Sequence, residues 1–411
     1  MKTPIYLILV AALIVGCGAP QGKVKTGADL LLEKHIKLIE GKRVGLVTNH
    51  TAVLSNGKHL ADAIHEDGRA TLVALFGPEH GVRGDAPAGD EITDTVDAKT
   101  GVPAYSLYGT INKPTKEMLK NVDVLIYDIQ DVGVRFYTYI STLSYAMEAA
   151  AENNIPYIVL DRPNPIRGTW VEGFVREDSL SSFVGLHPIT IATGMTIGEL
   201  ATMYNNEGWL KDGIKANLQV VKMEGWTRTT WYDQTGLKWL PPSPNIPTLE
   251  TAVLYPGTCL FEGVNISEGR GTMKPFENVG APYIDGAAWA NELNGMGLKG
   301  VTFEATEFTP KSIANMATRP KRLNEKCGGV LVKITDREIL EPVKVGVAML
   351  VSAKKLYPDS LKWRERSIDR LSGTPKFRQA VDAGKNTDEI VEMWKGDVEK
   401  FKTVRAKHLL Y

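Results

Sequence analysis

The stretch VDVLIYDIQ (122–130) places apolar residues at consecutive positions and then runs into Asp131 and, a few residues on, Arg135. Consecutive apolar residues over so short a run suit a strand covered on both faces, as parallel strands are. RVGLVTN (43–49), TLVALFG (71–77), VPAYSLYG (102–109) and PYIVLDRP (156–163) read the same way. Between them lie KHLADAIHEDG, KPTKEMLKN and the Ala-rich YISTLSYAMEAAAENN, whose apolar residues recur at helical spacing. Strand alternating with helix predicts an α/β fold built on a Rossmann-like, open, mostly parallel sheet. Farther on, TIGELATMYNNEGW begins with Thr196 and Glu199 at capping-box spacing.

Residues 236–285 are dense in Pro and Gly, and only TLETAVLY at their centre reads as helix. From 286, GAAWANELNGMG, GVTFEATEF, GGVLVKITD and PVKVGVAMLVSAKKLYP mix helix and strand, and the tail from Thr387 is helical. This predicts a leader and tether at 1–22, a Rossmann-like domain at 23–276 and a smaller α+β domain at 277–411. The 411 residues are 43% apolar and 23% charged, with zero formal net charge, as in an ordinary globular chain without the basic footprint of a nucleic-acid binder. RSIDRLSGTPKFRQAVDAGK, after Glu365, is locally basic and reads as a solvated helical face.

The chain opens MKTPIYLILVAALIVGCGAP, with Lys2 before an apolar core from Ile5 to Val15. That core is too short to span a bilayer and fits a signal peptide. The ending IVGC resembles a bacterial lipobox, which implies lipidation of Cys17, export, and attachment to a membrane by acyl chains alone. Cys259 and Cys327 read as two buried free thiols.

The uncommon polar residues follow the carboxyl ends of the predicted strands. Asn49 and His50 follow the first, and Glu79, His80 and Arg83 the second. Gln130, Asp131 and Arg135 follow the strand at 122–130, and Asp161, Arg162 and Asn164 the strand at 156–160. Ligands of open α/β sheets bind at that edge. Asp161 and Asn164 also suit turns. No glycine-rich turn follows the first strand, and neither a P-loop nor a GxSxG elbow is present. His50, His80, Asp128, Asp131 and Asp161 could converge on a metal, although no recognised ligand spacing supports one and none is expected. Glutamates beside glycines recur: Glu79, Glu172, Glu262 and Glu268. Carboxyl pairs among aromatic residues suit glycoside hydrolysis.

FGPEHGVRG, TGVPAYSLYG, DIQDVGVRFYTY, DRPNPIRG with VEG, LPPSPNIPT, YPGTCLFEGVNISEGRGT and the ending KHLLY together closely resemble the bacterial exo-β-N-acetylmuramidases. The resemblance runs in order over essentially the whole chain after the leader. It implies release of N-acetylmuramic acid from the non-reducing ends of peptidoglycan fragments such as MurNAc-GlcNAc, without a cofactor. It also implies a Rossmann-like domain carrying the catalytic centre and a smaller domain across a cleft, with Glu79 of the GPEHG motif as the leading catalytic residue. His80, Glu172 and Glu268 are the further catalytic candidates. Asn49, His50, Arg83, Gln130, Asp131, Arg135, Asp161, Arg162, Asn164, Asn265 and Arg270 are the substrate-binding candidates. Muramic acid differs from glucosamine by a lactyl ether bearing a carboxylate, and a planar guanidinium is the natural reader of that group. Arg83, Arg135, Arg162 and Arg270 are the expected readers. An exported sugar- or muropeptide-binding lipoprotein and a metal-dependent muropeptide amidase stand as alternatives.

Overall fold

A computed structural model of the chain describes residues 23–84 and 94–411. Cys17 lies outside the described residues. The first sheet has seven strands: β1 (Arg43–Thr48), β2 (Thr71–Gly77), β3 (Thr95–Val96), β4 (Pro103–Ser106), β5 (Val124–Asp128), β6 (Tyr157–Leu160) and β7 (Leu218–Val221). Their order is β3-β4-β2-β1-β5-β6-β7. Every pairing is parallel except that of the two-residue edge strand β3 with β4. β5 is buried along its whole length, as a strand with helices on both faces must be. The winding reverses between β1 and β5, so the crevice favoured by ligands opens at their carboxyl ends.

Helices α1 (Gly27–Glu33), α2 (Leu60–Asp67), α3 (Lys116–Leu119), α4 (Tyr139–Glu152) and α5 (Ile197–Asn206) accompany this sheet. The capping box expected at Thr196 is formed, with its side chain accepting from the Glu199 amide and the Glu199 carboxylate accepting from the Thr196 amide. α6 (Leu249–Thr258) leads into the second region. There β8 (Asn278–Ala281), β9 (Val301–Phe308) and β10 (Cys327–Ile334) form an antiparallel sheet with β10 at its centre. α7 (Gly286–Gly295), α8 (Pro342–Leu356), α9 (Glu365–Ser372), α10 (Lys376–Asp382) and α11 (Thr387–Arg405) complete it. The architecture is thus α/β, with a mostly parallel sheet and a smaller antiparallel one. Cys259 and Cys327 are both buried and free, as expected.

One apolar core runs through both regions, joining Phe76, Leu125 and Tyr157 of the first sheet to Phe261, Val279, Val330 and Phe401 of the second region. α6 and α8 meet through glycine. A Cβ on Gly257 would fall 2.0 Å from the carbonyl oxygen of Pro342, and one on Gly346 would fall 2.5 Å from the Gly257 Cα. No methyl group fits there without parting the helices. Gly257→Ala should therefore lower stability by about 1–3 kcal/mol through overpacking. The loss should show as a lower denaturant midpoint with an unchanged slope; an unchanged midpoint would mean that the helices part freely.

Candidate active site

β2 ends at Gly77, where any Cβ would meet the Val82 amide nitrogen at 2.8 Å. The chain then folds back, and the Gly81 amide donates to the Pro78 carbonyl at 2.9 Å. In this turn the third position belongs to His80, with φ +74° where glycine is usual. His80 is only 3% exposed, so a buried imidazole occupies a strained backbone position. The turn presents Glu79, half-buried, beside the loops that follow β4 and β5. The Tyr108 hydroxyl donates to its carboxylate, and Thr138 Oγ1 lies 3.4 Å from Glu79 Oε2. Burial, then the negative charge of Glu79, pushes the Tyr108 hydroxyl well above its usual range, so it remains a donor.

Glu79 opens on a cavity of about 270 Å³ lined also by His80, Tyr137, Tyr139, Ser243 and Glu262. The Tyr137 hydroxyl is buried beside that of Tyr139. Tyr139 donates to the Pro242 carbonyl at 2.6 Å, and His50 Nε2 lies 2.8 Å from the Pro241 carbonyl and donates to it. These two contacts hold the PPSP loop that brings Ser243 to the cavity. Glu262 pairs with Arg270 at 2.6 Å; Arg270 also lies 3.6 Å from Glu268, and Lys321 closes on Glu268 at 2.8 Å. The Lys321 ammonium also donates to the carbonyls of Phe261, Val264 and Ile266. Burial, together with the negative charges of Glu268 and Glu79, pushes the Glu262 carboxyl up against the pull of Arg270 and Lys321. Burial would raise Glu268 as well, but Lys321 and Arg270 outweigh it and hold that carboxyl down.

Of the expected site residues, the structure gathers Glu79, His80 and Arg270 around this cavity, with Glu268 just beneath it. The others lie away from this cavity and are held by partners of their own. Arg83 holds Asp97 through two bonds of 2.7 Å and Asp62 through a third. Arg162 grips both oxygens of buried Asp128. Arg135 is fully buried and donates to the carbonyls of Phe174, Ile189 and Leu371. Glu172 accepts the Val343 and Lys344 amides and so caps α8. Asp161 accepts from the Gly198 amide and from the hydroxyls of Thr196 and Tyr411, tying α5 and the end of the chain to β6. Asn49 Oδ1 accepts from Thr51, and the Gln130 amide group donates to the Asp131 and Pro163 carbonyls. Asn164 bridges the Ile166 amide and the Met195 carbonyl. Asn265 ties Ser360, Lys362 and Tyr283 together. Asp131 is buried, and one of its oxygens accepts from the Gly133 amide.

Asp128 and Asp161 are taken as described, and no group of three His, Cys, Asp or Glu side chains among the described residues is disposed to hold an ion.

Two family models match the chain in succession, the N-terminal part of the exo-β-N-acetylmuramidase NamZ over residues 44–250 and its C-terminal part over 253–411. The chain belongs to the exo-β-N-acetylmuramidase family. The peptidoglycan β-N-acetylmuramidase NamZ of Bacillus subtilis is 48% identical over 394 residues, covering 96% of this chain and 92% of that one. Two crystal structures of DUF1343 family proteins from Bacteroides fragilis superpose with TM-scores of 0.87 and 0.80. They are 41% and 37% identical, and each match covers 95% of this chain and 99% of the other.

In the sequence Glu262 is only one of several glutamates beside a glycine, and no pattern marks the tyrosines of this muramidase-family cavity. Tyr108 lies in YSLYG, and Tyr137 and Tyr139 in RFYTY; these motifs carried the family resemblance, yet apolar periodicity assigns such rings to the core. Asp131 offers a test of its burial. Burial pushes its carboxyl from 3.8 up to about 7, and one oxygen has no partner among the described residues. As pH rises from about 4 to about 7, the unfolded chain sheds this proton while the folded one keeps it, so stability falls across that window. Asp131→Asn should erase this dependence and exceed wild type in stability at pH 8 by at most about 4 kcal/mol. Parallel denaturation profiles from pH 5 to pH 8 would reject the assignment.

Proposed function

We propose that this chain is an exo-acting glycoside hydrolase that cleaves the β-1,4 bond between a non-reducing terminal N-acetylmuramic acid and N-acetylglucosamine in peptidoglycan fragments. The observation that carries this reading is the pair Glu79 and Glu262 on one cavity among tyrosine hydroxyls. At about 270 Å³ the cavity lies near the lower bound of small-ligand sites. It suits a single sugar ring, and hence attack at a chain end.

Hydrolysis needs a proton for the leaving oxygen and negative charge near the developing oxocarbenium ion. This reading gives the proton-donor role to Glu79, of the family's GPEHG motif. It gives the water-activating role to Glu262, whose place Arg270 fixes and whose upward-shifted carboxyl suits a base. Tyr108 and Thr138 orient Glu79, and Tyr137 offers its hydroxyl to the sugar.

Glu79→Gln keeps the size of the side chain and removes the transferable proton. Turnover of MurNAc-GlcNAc, followed by release of free muramic acid, should fall about 10²–10⁴-fold. The loss should shrink for a nitrophenyl glycoside, whose leaving group needs little protonation. Near-normal cleavage of the disaccharide by the variant would remove Glu79 from the mechanism.

The same reading extends to location. An exported chain lipidated at Cys17 would meet peptidoglycan fragments at the membrane surface, and the lipobox-like IVGC supports that arrangement. Cys17→Ser should leave the protein unlipidated and shift it from the membrane to the soluble fraction. A variant that still sediments wholly with membranes contradicts the anchor.

A further inference from the structure

The cavity at Glu79 does not end at Glu262. A second hollow of about 360 Å³ continues from it, the two sharing Val184, Glu262, Arg270 and Leu371 as walls. Five cations line this annex against two carboxylates. The inner cations are neutralised: Arg270 by Glu262 and Glu268, and Lys321 by Glu268. The outer ones are different. Among the described residues, no carboxylate lies within ion-pair distance of Arg319, Arg364 or Arg370.

The chain places them deliberately. Arg364, Ser367 and Arg370 recur at intervals of three and so share a face of α9 and its first cap. That face reaches the annex because α9 lies almost on the backbone of Gly263, the residue after Glu262. A Cβ there would come within 2.6 Å of Ile368, and the Arg364 amide donates to the Gly263 carbonyl at 2.8 Å. At the other end of α9, the Leu371 carbonyl accepts from buried Arg135 at 2.7 Å. The arginines are therefore carried on a helix fixed at both ends, one helical face away from the catalytic carboxyls. Arg319 faces them from the loop before Lys321.

We propose that Arg364 and Arg370, with Arg319 across the hollow, hold the lactyl carboxylate of the muramyl residue and so separate muramyl from glucosaminyl substrates. This rests on the glycosidase reading above and adds the part of the site that sets specificity. A sugar ring in the Glu79 cavity needs only its single anionic substituent to reach the annex, and guanidinium groups with no carboxylate at ion-pair distance supply its complement there. Glucosamine, lacking the lactyl group, leaves the annex to water.

The test uses the full-length protein and the double variant Arg364→Gln/Arg370→Gln, with folding checked by circular dichroism. Two readouts are taken. One is kcat/KM on a muramyl nitrophenyl glycoside and on its lactyl N-methylamide, which is neutral at that position. The other is calorimetric binding of free N-acetylmuramic acid and N-acetylglucosamine. Wild type should favour the acid over the amide about tenfold or more, carried mainly by KM, and the double variant should bring that ratio close to one. Binding should lose its preference for muramic acid in the same variant. A variant that keeps both the acid-over-amide ratio and the binding preference overturns the inference. A wild type whose muramic acid binding depends on these arginines but which cleaves nothing would instead overturn the glycosidase reading and leave the annex assignment standing.

Discussion

Arg135 is the constraint on which the site depends. Its guanidinium is fully buried and meets carbonyls rather than a carboxylate. Burial, and then the nearby Arg176, lowers it to about 9, still charged at neutral pH. Those carbonyls come from the loops at Phe174 and Ile189 and from Leu371 at the end of α9. One side chain from the loop after β5 thus decides where a helix from the other region lies. A Cβ on Gly373 would fall 2.7 Å from an Arg135 nitrogen, so the chain leaves α9 through a residue that can pass over the guanidinium. Charged donors to buried carbonyls are strong and costly to orphan.

Much of the first sheet was legible because its strands are short, apolar and covered on both faces; TLVALFG matches β2 residue for residue. The edge strands β3 and β7 were missed, for a related physical reason. β3 is exposed along both its residues, and β7 is only partly buried, so neither shows the unbroken apolar run that marks an interior strand. The second region's helices and strands were visible as alternating pattern, but no pattern shows that its core is continuous with that of the first sheet.

The site was legible at its edge and not in its roles. Polar residues do cluster past the strand ends, yet most of them are spent on structure. Arg83, Arg162 and Arg270 look alike in sequence; whether an arginine is available depends on carboxylates brought from far along the chain, Asp97 to Arg83 and Asp128 to Arg162. Among the glutamates, Glu172 became a helix cap because α8 begins against it. The basic segment after Glu365 had the reading of a solvated face, which helical spacing alone supports. Only the closeness of α9 to Gly263 turns that face toward the cleft.

Lys321 carries a consequence of another kind. Its nitrogen gathers the carbonyl oxygens of Phe261, Val264 and Ile266 and a carboxylate oxygen of Glu268, the oxygen set with which extracellular proteins often surround calcium. Here the cation is covalently part of the chain. The loop that bears Glu262 is organised as a metal-bound loop would be, but its occupancy does not vary with the ionic composition of the surroundings and no chelator can strip it. The fold thereby exchanges an adjustable ligand for a permanent one.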